Sequence, residues 1–168
     1  MSYRAQAKSD LLLERFVASL EKRSAPVKCN TDPRQIDALY AKLPARLPPL
    51  YERLVLSYRW EEVDTRFCAL LANPAGPDLD GLFLEISRDP ALWTQLSRSR
   101  YIQFGRGSGG DYDPVCFELK SRKKNKDCKV VRINHEEILC NNRIRIVAEV
   151  AESFEALVLQ AIKLAEKT

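Results

Sequence analysis

Apolar residues recur at every third or fourth position through the first third of the chain. Over residues 3–22 they form a single stripe opposite charged side chains, which predicts an amphipathic helix. Asp32 followed by Pro33 predicts the start of a second helix, because Asp caps helices and Pro suits their first turn. The prolines in "LPARLPPL" end that helix, and a third helix is predicted over residues 49–58.

The pattern is less regular in the middle of the chain. Residues 61–74 alternate as a half-buried strand would, although their apolar positions also fit a helix, and we favour the strand. A turn-rich loop and an apolar run at residues 82–86 follow. Asp89 and Pro90 then open another helix.

From residue 101 onward the apolar period changes to two. Four strands are predicted, in the segments YIQF, DPVCFEL, CKVVRI and RIRIVAEV. The loops between them are too short for crossover helices, so the strands should pair antiparallel. Ser153 caps a final helix that runs to about Glu166 with one continuous apolar stripe.

This order of elements predicts an α+β protein. We expect N-terminal helices, a mainly antiparallel mixed sheet of about four to six strands, and a C-terminal helix packed on the sheet. The 168 residues suit a single domain, 1–168, because a chain of this length buries roughly two thirds of the surface that its unfolded form exposes.

Composition narrows the class of protein further. With 45% apolar and 30% charged residues, the chain is unlike a disordered segment. Charged residues near the N-terminus and the lack of a long apolar stretch predict a cytoplasmic protein with no membrane partner. The five cysteines are odd in number and form no C-x-x-C pair, which indicates reduced, buried thiols. We expect no metal and no cofactor.

The segment "FGRGSGGDYDPVCFEL" contains glycines 105, 107 and 110 in the spacing G-x-G-x-x-G. A dinucleotide site needs a helix after the third glycine, whereas Pro114 and the alternation behind it predict a strand. Asp111 and Asp113 would also repel a phosphate. The segment therefore predicts a turn between strands, which also suits a recognition surface.

His135, Glu136 and Glu137 form a cluster that acid-base chemistry could use. The chain offers no nucleophile motif and no second histidine, so we expect a structural role for His135 at a strand end, bonded to the glycine loop or to a nearby carbonyl. A non-enzymatic protein is the prediction, and an uncharacterised hydrolase remains an alternative.

The net charge of +4 is unevenly spread, and a basic run, "KSRKKNKDCK" at residues 120–129, carries most of a local positive excess. Its cations could contact nucleic-acid phosphates, and they are Lys120, Arg122, Lys123, Lys124, Lys126 and Lys129. The run contains no aromatic residue for base stacking, and such runs at hairpin tips are mostly solvated. Nucleic acid is therefore the second choice of partner.

Three segments together resemble the SUKH superfamily, which includes the fungal Smi/Knr cell-wall regulators and many small bacterial proteins. They are "YIQFGRGSGGDYDPVCFEL", "CKVVRINHEEIL" and "EVAESFEALV". The resemblance covers about residues 43–165 and leaves a helical N-terminal extension, 1–42. It implies an α+β fold that binds other proteins, as toxin-neutralising immunity proteins do in bacteria and regulatory scaffolds do in fungi.

The resemblance also brings several polar and aromatic residues into neighbouring segments, and they are our candidates for binding a partner protein such as a toxin domain. These residues are Tyr101, Gly107, Gly110, Asp111, Tyr112, Asp113, Glu118, His135 and Glu136. We expect their carboxylates, with Glu137, to form one acidic face beside the two tyrosines, because aromatic residues dominate binding energy at interfaces.

Overall fold

The computed structural model describes residues 3–20 and 26–167. The described chain has seven α-helices: α1 (Tyr3–Leu20), α2 (Gln35–Tyr40), α3 (Pro49–Ser57), α4 (Asp80–Ile86), α5 (Pro90–Arg98), α6 (His135–Asn141) and α7 (Phe154–Ala165). It has eight strands: β1 (Val27–Lys28), β2 (Tyr58–Arg59), β3 (Val63–Asp64), β4 (Cys68–Leu70), β5 (Tyr101–Gly107), β6 (Pro114–Glu118), β7 (Val130–Ile133) and β8 (Ile146–Ala151). Within these residues, no helix is long and apolar enough to span a bilayer.

Six strands form one sheet in the order β3-β4-β5-β6-β7-β8, and every pairing in it is antiparallel. Strands β1 and β2 pair separately as a two-stranded ribbon. Neighbours in the large sheet are also neighbours in sequence, although the β4–β5 connection contains α4 and α5 and the β7–β8 connection contains α6. The α+β prediction is confirmed.

Helices cover both faces of the large sheet. The larger core lies beneath α1, α3 and α7, where Phe104 of β5 stacks on Phe117 of β6 with ring centroids 4.0 Å apart. Tyr51 and Phe154 meet these rings edge-on. The opposite face carries a smaller core beneath α5 and α6, formed by Leu96, Tyr101, Cys116, Val131, Ile133 and Ile138.

The C-terminal helix follows the prediction closely. The Ser153 hydroxyl accepts a hydrogen bond from the Ala156 amide at 3.0 Å, which is the expected N-cap. The buried carboxylate of Asp127 adds a second cap by accepting from the Phe154 amide at 3.1 Å. At the other end of the chain, α1 is helical as predicted through Leu20, and the predicted end of that helix at residue 22 lies outside the described residues.

Several predicted elements are corrected by the structure. The strand favoured for 61–74 is two short strands, β3 and β4, because Arg66 turns the chain with a φ of 74°. The apolar run at 82–86, for which neither a helix nor a strand was predicted, lies in helix α4. The strand predicted from YIQF continues through Gly107, and the strand predicted from RIRIVAEV begins only at Ile146.

His135 is not at a strand end as predicted. Strand β7 ends at Ile133, and Asn134 caps helix α6 by accepting a hydrogen bond from the Glu137 amide at 2.8 Å. Glu136 and Glu137 lie in the first turn of α6, where carboxylates interact favourably with the helix dipole. The acidic pair therefore has a local helical role that the alternating pattern before it concealed.

The prediction of buried cysteines holds for Cys68, Cys116 and Cys128 and is wrong for the other two. Cys140 is exposed on α6, and Cys29 is half-buried next to β1. All five thiols are free.

Candidate functional site

The glycine segment is a tight connection between β5 and β6, closed by a single 3-10 turn at Ser108–Gly110. Gly109 and Gly110 have φ values of 74° and 86°, a region that glycine enters without steric cost. Gly107 is needed for a different reason: a Cβ added to it would lie 2.5 Å from the Cβ of Asp111. Residues 107 and 111 of the loop therefore approach each other too closely for residue 107 to carry a side chain.

A carboxylate from another hairpin fastens this loop. Asp64 at the end of β3 accepts hydrogen bonds from the Ser108 hydroxyl at 2.7 Å and from the Gly109 amide at 3.0 Å. The Gly109 amide, which a phosphate-binding loop would offer to its ligand, is therefore already bound to the carboxylate of Asp64. This contact agrees with the prediction that the segment is a turn.

A second set of contacts fixes the loop from the other side. Asp113 is 8% exposed, and its Oδ1 accepts from the His135 amide at 2.9 Å and lies 2.8 Å from His135 Nδ1. Because Nδ1 faces the Asp113 carboxylate, Nε2 of the His135 ring is left for other partners. Arg132 reaches Asp111 Oδ2 at 3.2 Å and Asp113 Oδ2 at 3.9 Å.

Between the two anchors, the loop carries Tyr112 at the mouth of a groove of about 490 Å³. We call this the Tyr112 groove. Its walls are β5, the end of α4, α5, α6 and the loop, and its lining includes Arg88, Gln103, Arg106, Tyr112, His135 and Leu139. Tyr112 is 70% exposed and Leu139 is 48% exposed, so two large apolar side chains stand at the rim. The Tyr112 and His135 ring centroids are 6.3 Å apart.

The groove combines these apolar groups with polar ones that are already partly paired. Arg88 pairs with Glu85, and Arg106 lies 3.9 Å from Glu62. Gln103 donates to the Gly105 carbonyl at 3.1 Å, which leaves its side-chain oxygen as an acceptor. Asp89 has its carboxylate turned to the Ala91 and Leu92 amides as the cap of α5.

The side chains of this lining determine which groups His135 could contact in a nucleophilic reaction. Among the described residues that line the groove, none is Ser, Thr or Cys, and the hydroxyl nearest to the His135 ring in this lining is the phenol of Tyr112, whose ring centroid lies 6.3 Å from that of His135. The Asp113–His135 pair resembles the orienting half of a catalytic dyad, yet its carboxylate also holds the His135 backbone. That second bond gives the pair a structural task.

The candidate partner-binding residues do not form one face. Asp111, Tyr112, Asp113 and His135 lie together, with Gly107 and Gly110 shaping their loop and Glu136 exposed beside them on α6. Tyr101 and Glu118 pair with each other at the opposite end of the β5–β6 ladder, about 14 Å along the strand. Tyr101 is also buried at 6% exposure.

The surface around Tyr112 is also less acidic than the sequence predicted. Arg132 stands between Asp111 and Asp113, so the two carboxylates that lie closest to Tyr112 are paired with a guanidinium. Sequence reasoning missed Arg132, Arg106 and Asp64 because single charged residues in or beside strands carry no pattern. Their contacts span about 20 to 45 positions in the chain and depend on strand pairing.

The basic candidates lie elsewhere, in the loop between β6 and β7. A 3-10 turn at Leu119–Ser121 opens this loop, and Lys120, Lys123, Lys124 and Lys126 are exposed on it while Arg122 is half-buried. This loop and the Tyr112 groove are at opposite ends of the sheet, since β6 runs from one to the other.

We compared the chain with protein-family models and with curated proteins. No family model matches it, and no curated protein is significantly similar to it. The resemblance to the SUKH superfamily therefore rests on the residues of the three motifs quoted above.

Proposed function

We propose that this protein is a non-enzymatic binding module that recognises another protein through the Tyr112 groove. The observation that carries the proposal is the exposed ring of Tyr112 on a loop that is fixed from two sides. Asp64 holds one end of that loop and Asp113, with Arg132 and His135, holds the other. A ring presented rigidly loses little conformational entropy on binding.

The rest of the groove supports a protein partner over a small polar ligand. Interfaces of proteins are built around aromatic anchors that are surrounded by groups able to form hydrogen bonds. Tyr112 and Leu139 supply exposed apolar area, and His135 Nε2 and the Gln103 side-chain oxygen supply polar groups at its edge. This mixture of groups is typical of a binding surface.

The resemblance to the SUKH superfamily makes a toxin domain the first class of partner to test. Because Arg132 pairs with the nearest carboxylates, we expect the partner to present a mixed apolar and polar surface to this groove. A strongly basic nuclease surface would need an acidic face, which these paired carboxylates do not supply.

The test is affinity capture with three versions of the protein: wild type, Tyr112→Ala and Leu159→Ala. Leu159 is the matched control, since it is also an exposed apolar side chain and lies on α7, on the opposite face of the sheet. We expect a protein that wild type and Leu159→Ala retain in equal amount from nuclease-treated native lysate, and that Tyr112→Ala loses.

The captured protein would then be purified and titrated against each version. Loss of a central aromatic anchor should raise the dissociation constant by about 30-fold or more. If the partner is toxic to cells, co-expression of wild type should restore growth and Tyr112→Ala should not. Equal affinity of wild type and Tyr112→Ala for the partner would refute the proposed site.

A further inference from the structure

Three segments that are distant in sequence bring positive charges together at the end of the sheet away from the Tyr112 groove. The Leu119 amide donates to the Arg100 carbonyl at 3.1 Å, and Arg100 Nη1 donates to the Pro44 carbonyl at 3.1 Å. Arg122 Nη2 donates to the Arg46 carbonyl. We call the resulting surface the basic track: Arg46, Arg98, Arg100, Lys120, Arg122 and Lys123.

These charges are almost uncompensated within the protein. In the part of the chain that the structure describes, no carboxylate lies within 4 Å of the cationic groups of the track except Glu52, which is 3.8 Å from Arg46. Cations elsewhere in the protein do find acids, as Arg15 does with Glu166 and Lys129 does with Glu149. Surplus charge on one surface indicates an anionic ligand.

The acid that lies in the same loop does not neutralise the track. Asp127 is 5% exposed, and its carboxylate turns inward to the amides of Cys128 and Phe154. Glu118, before the loop, faces the Tyr101 hydroxyl at 3.5 Å. The loop thus directs its carboxylate into the protein and its lysines into solvent.

Two of the arginines are held in place before any ligand binds. Arg100 and Arg122 each use one guanidinium nitrogen on a backbone carbonyl of the 44–46 segment. A guanidinium has five N–H donors, so most of them stay available. Guanidinium groups held in one orientation suit two-point hydrogen bonding to the oxygen atoms of a phosphate.

An aromatic side chain lies at one end of the track. Half-buried Trp93 lines a shallow groove together with Lys42, Pro44 and Arg98, and Pro44 is the residue whose carbonyl binds Arg100. Cations that follow a backbone, with an aromatic ring beside them, are the combination by which proteins bind single-stranded nucleic acid. The basic run alone lacks this ring; the fold supplies it.

We propose that the basic track binds the phosphate backbone of single-stranded nucleic acid, with Trp93 as a stacking surface for a base. An acidic protein is a poorer fit, because a protein interface needs a central apolar anchor. Within the described chain, none of the large exposed apolar side chains belongs to the track. This site is independent of the Tyr112 groove, which lies at the other end of β5 and β6.

The experiment measures fluorescence anisotropy of a labelled oligouridine of about 20 nucleotides in about 50 mM and about 200 mM KCl. Wild type should bind, and log K should fall with log salt at a slope near −0.7 for each phosphate contacted. With about four contacts, affinity should fall roughly 50-fold between the two salt concentrations.

The variant is Lys120→Gln with Lys123→Gln, which removes two exposed charges whose side chains make no hydrogen bond or ion pair with the described chain. Its matched control is Lys8→Gln with Lys163→Gln, which removes two exposed charges elsewhere. We expect about tenfold or greater weakening for the first pair and a change within about twofold for the second. Equal effects of the two pairs would overturn the proposal.

Two further measurements test whether the ligand is nucleic acid and whether Trp93 contacts it. Polyglutamate of similar length should compete poorly, and competition as strong as that of unlabelled oligouridine would overturn nucleic acid as the ligand. Oligouridine should also quench tryptophan emission in wild type and do so much less in Trp93→Phe, because the other tryptophan, Trp60, is buried. Unchanged quenching in Trp93→Phe would remove Trp93 from the site.

Discussion

Asp113 and His135 are joined twice, because one carboxylate oxygen contacts both the backbone amide and the ring Nδ1 of the histidine at 2.9 and 2.8 Å. This double contact connects the end of the glycine loop to the start of helix α6. It therefore sets the position of the loop tip relative to one wall of the Tyr112 groove.

Replacing Asp113 should cost more stability than replacing His135. Asp113→Ala leaves the backbone amide and the ring Nδ1 of His135 without the carboxylate that they contact, so we expect a loss of about 2 to 3 kcal/mol in the free energy of unfolding. His135→Ala keeps the bond to the backbone amide and should cost about 1 kcal/mol. Urea unfolding measures both, and a smaller loss for Asp113→Ala than for His135→Ala would contradict the account.

Gly107 should tolerate no side chain while Asp111 is present. Its φ of −56° and ψ of 144° suit any residue, so the penalty for Gly107→Ala comes only from the contact with Asp111. We expect a loss of about 1 to 3 kcal/mol from this overpacking.

A double-mutant cycle with Asp111→Gly tests that cause. Gly107→Ala should cost clearly less in the Asp111→Gly background than in wild type, because the atoms that it would strike have gone. Additive losses would show that some other contact requires the glycine.

Alkylation should distinguish the five cysteines in the native protein. Burial raises the pKa of the Cys68 thiol to about 12 and also raises the pKa of Cys116, so both are protonated and inaccessible at pH 8. Iodoacetamide should modify exposed Cys140 first and Cys29 more slowly. Peptide mass spectrometry reads out the order, and rapid native labelling of Cys68 would contradict the packing.

The same buried thiol should make the protein less stable in alkali. Because the pKa of Cys68 is raised on folding, its contribution is complete below the ordinary thiol value of about 9 and is lost as the pH rises towards 12. Between pH 8 and pH 10 the loss from Cys68 should reach about 1.4 kcal/mol. Urea unfolding of Cys68→Ala at both pH values should show a smaller decline than wild type; an equal decline would count against this cause.

The fold was predictable where one local signal dominates. Ser153 and the apolar stripe behind it specify α7, and alternation specifies β6 and β7, because each needs only its own residues. Helix α6 was missed because its N-cap, Asn134, follows directly on a strand, so the alternating pattern masked a helix of seven residues. The run Leu82–Ile86 is short enough to suit either strand or helix, and packing decides.

The candidate site was predictable only in part, because local sequence signals do not show which distant residues the fold brings together. Tyr112, Asp113 and His135 stand in segments whose composition is unusual, and the structure brings them together. Tyr101 and Glu118 have the right chemistry but lie at the far end of the ladder, since direction along a strand is set by pairing. Side-chain bonds from Arg100 and Arg122 to the 44–46 segment bring Arg46 and Arg100 next to the basic run, and no local pattern signals them.

The most direct test of the proposed function is photo-crosslinking from the tip of the glycine loop. A benzophenone amino acid would replace Tyr112 in one version of the protein and Leu159, on the opposite face, in another, and both would be irradiated in native cells. We predict one dominant protein adduct from position 112 that position 159 does not form, and that excess unlabelled wild type suppresses. The same adducts from both positions, or none from position 112, would contradict the claim that this groove binds a partner.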